Sequence, residues 1–285
     1  MEKRILGKTG YEISILTFGG IVVDKTEAND AAAIVANAVN RGVNYFDVAP
    51  SYGQAQYILG PALEPYRKQV YLACKTGKRD AKGAQAELEE SLRALKTDYF
   101  DLYQLHGLCT PEDIAQVFAP GGAMEVLRDA KEKGLVRNIG FSTHYDSSAI
   151  EIMRNADFAT ILFPVNFAYR KQKAGSLSAL NACKEKGMGV IAIKALAHRK
   201  WLEGEERMYP KCWYRPIYDN PELARLALNY TLSRDVTTAV PPGDERMMRL
   251  ALEIIEKQNG KAVPLTGDEQ AALRAEAKAV KDVIF

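Results

Sequence analysis

Short apolar runs alternate with longer amphipathic stretches along almost the whole chain. In segment 82–95, for example, Ala84, Leu88, Leu92 and Leu95 recur at helical spacing on one face. The apolar runs have the length of buried strands. Eight of them are present, over residues 17–20, 44–48, 70–74, 100–105, 136–141, 160–165, 189–194 and 237–240. The pattern predicts eight strands, each followed by a helix.

The segments between these runs complete the alternation. Helices are expected over 26–41, 54–64, 82–95, 177–186, 221–233, 244–257 and 268–283, with two more that end at Gly134 and Met153. A hairpin over 4–16, with Lys8-Thr9-Gly10 as its turn, precedes the first unit. Loops are expected over 107–122 and, at greater length, after Lys194.

Regular alternation of strand and helix implies a parallel sheet, and eight units in this length fit a (β/α)8 TIM barrel with an N-terminal β-hairpin. A doubly wound sheet is the alternative fold. No strand, however, is followed by the Gly-x-Gly-x-x-Gly turn of dinucleotide-binding sheets. No linker or low-complexity stretch divides residues 1–285, so a single domain is expected.

Composition and charge limit the classes of partner. The formal net charge is only +2, so neither nucleic acid nor a membrane surface is expected as a partner. No apolar run approaches the ~18 residues that cross a bilayer, and the N-terminal residues lack the apolar core of a signal peptide. The four cysteines are scattered without a Cys-x-x-Cys pair, which argues against a zinc site, an iron–sulfur site or a disulfide framework. We expect a cytoplasmic protein that is a monomer or a small homo-oligomer.

Three consecutive predicted strands end in ionisable side chains. Asp47 lies near the end of the second strand, Lys75 follows the third and His106 follows the fourth, while Tyr52 lies in the turn after Asp47. The active sites of (β/α)8 barrels are built at the carboxyl ends of the strands. These four side chains are therefore expected to converge at one rim of the barrel.

The chemistry of such a set indicates a proton donor. A free tyrosine has a pKa near ~10, which is high for a donor at pH 7, and a nearby lysine ammonium lowers it. A buried lysine would itself lose its proton unless a carboxylate such as Asp47 kept it charged. A histidine beside the phenol can orient a substrate oxygen. This site would protonate a carbonyl oxygen as hydride reaches the carbon, and hydride requires a nicotinamide cofactor.

Over essentially its whole length, the chain resembles the aldo-keto reductase superfamily. The resemblance is carried by the leading hairpin, by residues 44–53 (Asn-Tyr-Phe-Asp-Val-Ala-Pro-Ser-Tyr-Gly), by Lys75, and by residues 98–106 (Asp-Tyr-Phe-Asp-Leu-Tyr-Gln-Leu-His). It implies reduction of a small aldehyde or ketone with NADPH, or the reverse oxidation. It also implies Tyr52 as the general acid, Lys75 and Asp47 as the groups that tune it, and His106 as the group that orients the carbonyl.

The same resemblance implies a cofactor site with several departures from the family pattern. Ser142 matches the serine that binds the nicotinamide amide, but Thr143 follows it where the family usually has asparagine. Asn166 stands in for the usual glutamine of the sixth strand. After the seventh strand the family often has a tyrosine that stacks on the nicotinamide. Here residues 191–194 are Ile-Ala-Ile-Lys, so an aliphatic contact is expected beside Lys194 instead.

Residues 242–246, Pro-Gly-Asp-Glu-Arg, resemble the turn that binds the cofactor phosphates. In this register Arg249 is expected to meet the 2′-phosphate, with Arg246 as a fallback, but the usual lysine of the turn is absent. The position of the arginine favours NADPH, and the missing lysine leaves NADH open. The implied cofactor contacts are Gly20, Ile21, Asp47, Ser142, Thr143, Asn166, Lys194, Gly243, Arg246 and Arg249.

The substrate is expected to meet Ile21, Tyr52, His106 and Trp213, the last of which belongs to an aromatic loop after the seventh strand. That loop is either a lid or a self-packed rim. Two other functions stay open. One is a nicotinamide-nucleotide-binding sensor or accessory protein with little turnover. The other is a metal-dependent hydrolase with Asp47, His106 and His144 as ligands, which the small number of histidines disfavours.

Overall fold

The computed structural model describes residues 1–168 and 178–284. The chain opens with a hairpin, β1 (Lys3–Ile5) and β2 (Glu12–Ser14), whose register pairs Arg4 with Ile13. The connection is a short 3-10 turn, Gly7–Thr9, followed by Gly10 in the left-handed conformation (φ 74°). The predicted hairpin is confirmed. The predicted start of one helix, Leu177, lies outside the described residues.

Eight parallel strands form one continuous sheet in which neighbours in sequence are neighbours in space. They are β3 (Phe18–Gly19), β4 (Tyr45–Asp47), β5 (Tyr71–Thr76), β6 (Leu102–Leu105), β7 (Ile139–Ser142), β8 (Thr160–Pro164), β9 (Gly189–Ile193) and, after a two-stranded ribbon, β12 (Thr238–Val240). The first and last strands meet through a parallel bridge between Leu16 and Ala239. There the Thr17 amide donates to the Ala239 carbonyl at 3.0 Å, and the hydroxyls of Thr17 and Thr238 lie 2.9 Å apart. The sheet is thereby closed into the predicted (β/α)8 barrel.

The described helices surround this barrel. They are α1 (Ala28–Asn40), α2 (Ala55–Leu63), α3 (Ala81–Ala94), α4 (Pro111–Phe118), α5 (Ala123–Glu132), α6 (Asp146–Asn155), α7 (Ser178–Glu185), α8 (Pro221–Leu232), α9 (Glu245–Lys257) and α10 (Gly267–Ala279). In α3 the residues predicted to share one face, Ala84 and Leu88, are fully buried, and the Asp80 side chain caps the amino end. None of the described helices combines the length and apolarity needed to cross a bilayer.

One helix was not predicted, and the predicted end of another is wrong. Residues 107–122 were expected to be a loop, yet α4 lies within them. Its amino end is capped by the Thr110 hydroxyl, which accepts from the Asp113 amide, and Pro111 occupies the first helical position. The last helix ends at Ala279 rather than at 283, because Val280 leaves the helix with extended backbone angles.

The interior of the barrel changes from apolar to polar toward the carboxyl ends of the strands. Alternate residues of a strand face the same side. Tyr45 and Asp47 therefore share one side of β4, Ala73 and Lys75 share one side of β5, and Leu102 and Gln104 share one side of β6. The deeper member of each pair belongs to an apolar cluster inside the barrel that also contains Leu162, Ile191 and Val240. The polar members are buried above it, and they form the floor of the candidate site.

The long connection after β9 contains a small ribbon rather than only irregular loop. Strand β10 (Ala197–Arg199) pairs with β11 (Arg215–Pro216). The segment between them, which we call the rim loop (residues 200–214), is joined to the first β–α connection through Lys211. Its ammonium donates to the Val22 carbonyl at 2.7 Å and to the Thr26 hydroxyl at 3.1 Å.

Candidate active site

The floor of the site is a buried cation between a carboxylate and a phenol. The Lys75 side chain is fully buried, and its Nζ donates to Asp47 Oδ2, to the Val48 carbonyl at 3.2 Å and to the Tyr52 hydroxyl at 3.4 Å. The turn that carries Tyr52 is held from outside, because Asp24 Oδ1 accepts from the Gln54 amide at 2.8 Å. The structure thus brings together three members of the predicted set, Asp47, Tyr52 and Lys75.

Burial and pairing act in opposite directions on the floor residues. Burial has the largest single effect and lowers the pKa of Lys75. The charge of Asp47, the neighbouring Tyr52 and the hydrogen bond to Asp47 together outweigh it, so the net pKa of Lys75 is raised. Burial also raises the pKa of Asp47, while Lys75 and Gln104 oppose that rise. The lysine is therefore charged throughout the neutral range, and its charge depends on an ionised Asp47.

The phenol of Tyr52 is protonated at neutral pH. Removal from water raises its pKa, and the Lys75 ammonium lowers it by a smaller amount, so the net direction is upward. The lysine acts in the predicted direction, but burial outweighs it. Tyr52 consequently holds a proton that it can deliver, and Lys75 is placed to stabilise the phenolate left behind.

His106 stands beside the phenol as a neutral imidazole. Its ring lies edge-on to that of Tyr52, with 5.9 Å between centroids. Burial, together with the positive charges of Lys75 and Arg79, lowers the pKa of His106 to about 3. Arg79 also fixes the backbone here, since its guanidinium donates to the carbonyls of His106 (2.9 Å) and Gly107 (3.2 Å) while pairing with Asp113. One ring nitrogen of neutral His106 can donate a hydrogen bond to a substrate oxygen.

A cavity of about 610 Å³ opens above this floor. Its wall includes the four residues expected to meet substrate, Ile21, Tyr52, His106 and Trp213. The Trp213 ring lies 5.5 Å from that of Tyr52 and is 58% exposed, so it forms an outer wall of the cavity. The remaining wall is Gly19, Asp47, Ser51, Gly107, Ser142, His144, Leu162, Ile193, Lys194, Lys200, Tyr214, Val240, Pro241, Pro242, Gly243 and Ile284.

Five of the expected cofactor contacts line this cavity, namely Ile21, Asp47, Ser142, Lys194 and Gly243. The Ser142 hydroxyl accepts from the Gly107 amide at 2.7 Å, which ties β7 to the loop after His106. Lys194 is buried with positive φ (72°), and its ammonium lies 4.2 Å from the centre of the Tyr214 ring. Burial lowers the pKa of Lys194 to about 8.

Other expected cofactor residues make local contacts. The Asn166 amide donates to the carbonyls of Lys194 and Ala197, both at 2.8 Å, and therefore fixes the chain where β9 ends. The Thr143 hydroxyl is buried 3.8 Å from the Cys109 sulfur. Gly20 allows the backbone to pass close to the Val48 side chain, since a Cβ at position 20 would lie 2.7 Å from it. A role for these three residues in cofactor binding stays a prediction.

The two arginines beyond β12 are paired with neighbouring acids. Asp244 caps α9 by accepting from the Arg246 amide at 3.0 Å and also binds the Arg246 guanidinium through both oxygens, at 2.8 Å each. The same guanidinium donates to the Met208 carbonyl of the rim loop at 2.8 Å. Arg249 is held more loosely, 3.5 Å from Glu245, with 60% of its side chain exposed.

A model described as the Aldo/keto reductase family matches residues 16–272. The chain belongs to that family. An oxidoreductase of Bacillus subtilis, YqkF, is 26% identical over 307 residues, which cover 98% of this chain and 97% of the relative. The L-galactose dehydrogenase of Arabidopsis thaliana is 28% identical over 69% of this chain and 66% of its own length.

Among solved structures, the holo form of an aldo-keto reductase from Bacillus halodurans resembles this chain with a TM-score of 0.74. The sequences are 24% identical, and the match covers 100% of this chain and 98% of that one. This likeness supports the barrel fold. The family match and the oxidoreductase relatives together support a carbonyl-reducing oxidoreductase that uses a nicotinamide cofactor.

One buried residue of this aldo/keto reductase was missed by the sequence reasoning. Gln104 Nε2 donates to Asp47 Oδ1 at 2.8 Å, so both oxygens of Asp47 accept hydrogen bonds, one from Gln104 and one from Lys75. The signal that could have found Gln104 is its spacing, because it lies two residues before His106 on the inward side of β6. Within residues 1–168 and 178–284, no group of three or more histidine, cysteine, aspartate or glutamate side chains is placed to hold a metal ion.

Proposed function

We propose that this protein is an NADPH-dependent reductase of aldehydes or ketones, in which Tyr52 is the general acid. The observation that carries the proposal is the position of the Lys75 ammonium, 3.4 Å from the Tyr52 hydroxyl and paired with buried Asp47 at the floor of the cavity. This arrangement supplies a protonated phenol with a fixed positive charge beside it.

In the proposed reaction, Tyr52 donates its proton to the carbonyl oxygen of the substrate. The Lys75 ammonium stabilises the phenolate that remains, and Asp47 keeps the lysine charged. Neutral His106 donates a hydrogen bond to the same carbonyl oxygen and orients it. A bound nicotinamide supplies the hydride that reaches the carbonyl carbon. The reverse oxidation uses the same residues with the proton moving back to Tyr52.

The residues along the cavity fit a dinucleotide. Ser142 offers a hydroxyl for the carboxamide, and the Lys194 ammonium offers charge for the phosphates. Gly243 lies in the cavity wall just before the amino end of α9, where the Asp244 side chain accepts from the Arg246 amide. A side chain at Gly243 could not be accommodated, since a Cβ would lie 2.6 Å from Ile21 and 2.7 Å from the Lys211 carbonyl.

The preference for NADPH rests on Arg249. Its guanidinium is largely exposed and only loosely paired with Glu245, whereas Arg246 is held by Asp244. Arg249 is therefore free to turn toward a 2′-phosphate. A charge-assisted contact of this kind contributes about 1.5–3 kcal/mol, so Arg249→Gln should weaken NADPH binding roughly ten- to hundredfold. Fluorescence titration with NADPH and NADH tests this. Arg128→Gln on the outer side of α5 serves as the control, and equal weakening of NADH would contradict the assignment.

The chemical role of Tyr52 is tested by turnover over a panel of small carbonyl compounds. Tyr52→Phe should abolish reduction while leaving cofactor binding intact. Tyr214→Phe, which removes another hydroxyl from the same cavity wall, should retain activity. Full activity of Tyr52→Phe would overturn the mechanism. Cofactor binding without turnover by the unaltered protein would favour the sensor or accessory function. The departures from the family's nicotinamide contacts at Thr143 and Asn166 leave that function as the second candidate.

A cytoplasmic location and a monomer or small homo-oligomer stay predictions from the sequence. All four cysteines are free thiols, as a reducing compartment would allow.

A further inference from the structure

Gln104 is the buried neighbour of the floor residues to which the proposed mechanism assigns no part. Its side chain is fully buried inside the barrel, and its strand β6 pairs with β5 so that Gln104 lies directly across from Lys75. Its Nε2 donates to Asp47 Oδ1 at 2.8 Å. Gln104 therefore binds the carboxylate oxygen that Lys75 does not bind.

The orientation of the Gln104 amide follows from the acceptors around it. Asp47 Oδ2 accepts from Lys75, and Oδ1 presents lone pairs toward Gln104. A flipped amide would place Oε1 against the carboxylate oxygen, with two acceptors opposed and no hydrogen between them. The observed orientation avoids this conflict, but it leaves Oε1 buried without a hydrogen-bond partner among the described residues.

That unpaired oxygen has an energetic cost. A buried acceptor without a donor destabilises a fold, because it gives up its hydrogen bonds to water without replacing them. Leu102, two residues earlier on the same side of β6, shows that an apolar side chain fits this interior. An apolar residue at position 104 would avoid the unpaired oxygen. The contact with Asp47 is what the glutamine provides and an apolar residue does not.

We propose that Gln104 is a positioning residue that keeps Asp47 ionised and turned toward Lys75, and thereby maintains the charge beside the Tyr52 phenol. The inference deepens the proposed function and rests on it for its catalytic consequence. A hydrogen bond to an ionised carboxylate favours the ionised form. If Asp47 took up a proton, Lys75 would lose its counter-ion in a fully buried place. Tyr52 would then lose the cation that stabilises its phenolate.

Few other titratable groups face Asp47. Lys75 on β5 and Tyr52 in the turn after β4 both interact with the Asp47 charge. Tyr45, on the same strand as Asp47, and the Cys74 thiol on β5 also interact with that charge. Burial keeps the two phenols and the thiol neutral near pH 7, since it raises the pKa of each. Lys75 and Gln104 are thus the groups that stabilise the ionised carboxylate.

Thr160 provides a matched control for the buried oxygen. Its Oγ1 is also buried and unpaired among the described residues, and Gly140 lies between Thr160 and Gln104 in the sheet. The Thr160 hydroxyl does not hydrogen-bond to Asp47. Thr160→Val therefore removes an unpaired oxygen alone, whereas Gln104→Met removes an unpaired oxygen together with the donor to Asp47.

The first measurement follows the carboxyl carbon of Asp47 by ¹³C NMR in aspartate-labelled protein, with the signal assigned by its loss in Asp47→Asn. A hydrogen bond to a charged group is worth about 1.5–3 kcal/mol, which corresponds to about one to two pH units. The titration midpoint of Asp47 should rise by that amount in Gln104→Met and stay unchanged in Thr160→Val. Gln104→Asn, which keeps the amide one methylene shorter, should give a smaller rise and serves if Gln104→Met does not fold.

The second measurement is the pH dependence of kcat. Its acid limb should move to higher pH in Gln104→Met, with KM little changed, and should stay in place in Thr160→Val. An unchanged Asp47 midpoint in the Gln104 variants, or the same shift in Thr160→Val, would overturn the proposal. The NMR titration does not depend on turnover. If the unaltered protein reduced no carbonyl compound, the proposed function would fail while the role of Gln104 toward Asp47 would still be decided.

Discussion

The buried pair of Lys75 and Asp47 makes a quantitative prediction for the variant Asp47→Asn. An asparagine can reproduce the shape of this site. Its oxygen can accept from Lys75, and its NH2 group can donate to Gln104 if the Gln104 amide turns over and presents Oε1, the atom that is otherwise unpaired. The substitution therefore removes the negative charge while keeping most of the hydrogen bonds. What remains is a lysine at a fully buried position without its counter-ion.

The cost of that change has a ceiling. Removing one partner of a buried ion pair typically destabilises a protein by about 3–5 kcal/mol. Alternatively, Lys75 can lose its proton and be buried as a neutral amine. Removing the proton from a lysine of ordinary pKa costs about 4.6 kcal/mol at pH 7 and about 1.9 kcal/mol at pH 9, and this cost sets the ceiling. The loss of stability should therefore be about 3–4.5 kcal/mol at pH 7 and no more than about 2 kcal/mol at pH 9.

The sign of this pH dependence follows from proton binding. In the unaltered protein the folded pKa of Lys75 is raised, so its stabilising effect is complete at both pH values. Without Asp47 the folded pKa of Lys75 falls below the unfolded value. The unfolded chain then binds more protons than the folded chain, and the stability of the variant rises with pH relative to the unaltered protein.

Urea unfolding followed by circular dichroism at pH 7 and pH 9 measures both effects. Asp157→Asn is the matched control because Asp157 forms an exposed pair with Lys8. The loss of such a pair should cost less than about 1 kcal/mol at either pH. If Asp47→Asn lost less than about 1 kcal/mol at pH 7, or the same amount at both pH values, the buried pair would not have the assigned energetics.

Three further predictions concern groups around the floor. Because His106 has a pKa of about 3, the kcat profile should show no inflection near pH 6.5 from this ring, and His106→Gln should lower the rate without changing the profile's shape. Lys194, with a pKa of about 8, should favour anion binding below that pH. The dissociation constant for the cofactor, measured by fluorescence, should therefore rise between pH 6.5 and 9, and this rise should be absent in Lys194→Met. Arg79→Met should release the backbone at His106, raise KM, and lower stability by about 1–3 kcal/mol in urea unfolding. Arg79→Lys should not rescue it, since a lysine lacks the planar fork that spans both carbonyls and Asp113.

The chemistry at the floor could be predicted because it follows from strand periodicity. Asp47, Lys75 and His106 lie at or just beyond the ends of consecutive parallel strands, and barrel closure brings those ends to one rim. The same periodicity places Gln104 inside the barrel. A neutral amide in an apolar run carries no charge that would indicate a functional contact. The hydrogen bond from Gln104 to Asp47 is therefore evident only from the side-chain positions in the structure.

Other features depend on rotamers and local competition. The sequence places Arg246 and Arg249 beyond the eighth strand, but Asp244 binds the Arg246 guanidinium, whereas Glu245 is only loosely paired with Arg249. Asn166 could reach a ligand or the backbone, and its amide binds the backbone at the end of β9. Helix α4 was missed although Thr110 and Pro111 form a recognisable helix start, because its eight residues lie in a stretch interpreted as one connecting loop.

The closure of the barrel through Thr17 and Thr238 has a consequence for the order of synthesis. The two residues are 221 positions apart, so the first strand leaves the ribosome long before its final neighbour exists. At roughly 5–20 residues per second, that interval is on the order of 10–45 s. During this time β3 presents an unpaired edge, which is a hazard for pairing with other chains. Strand β3 is only two residues long. It therefore exposes few unpaired backbone groups to another chain before the last strand has been synthesised.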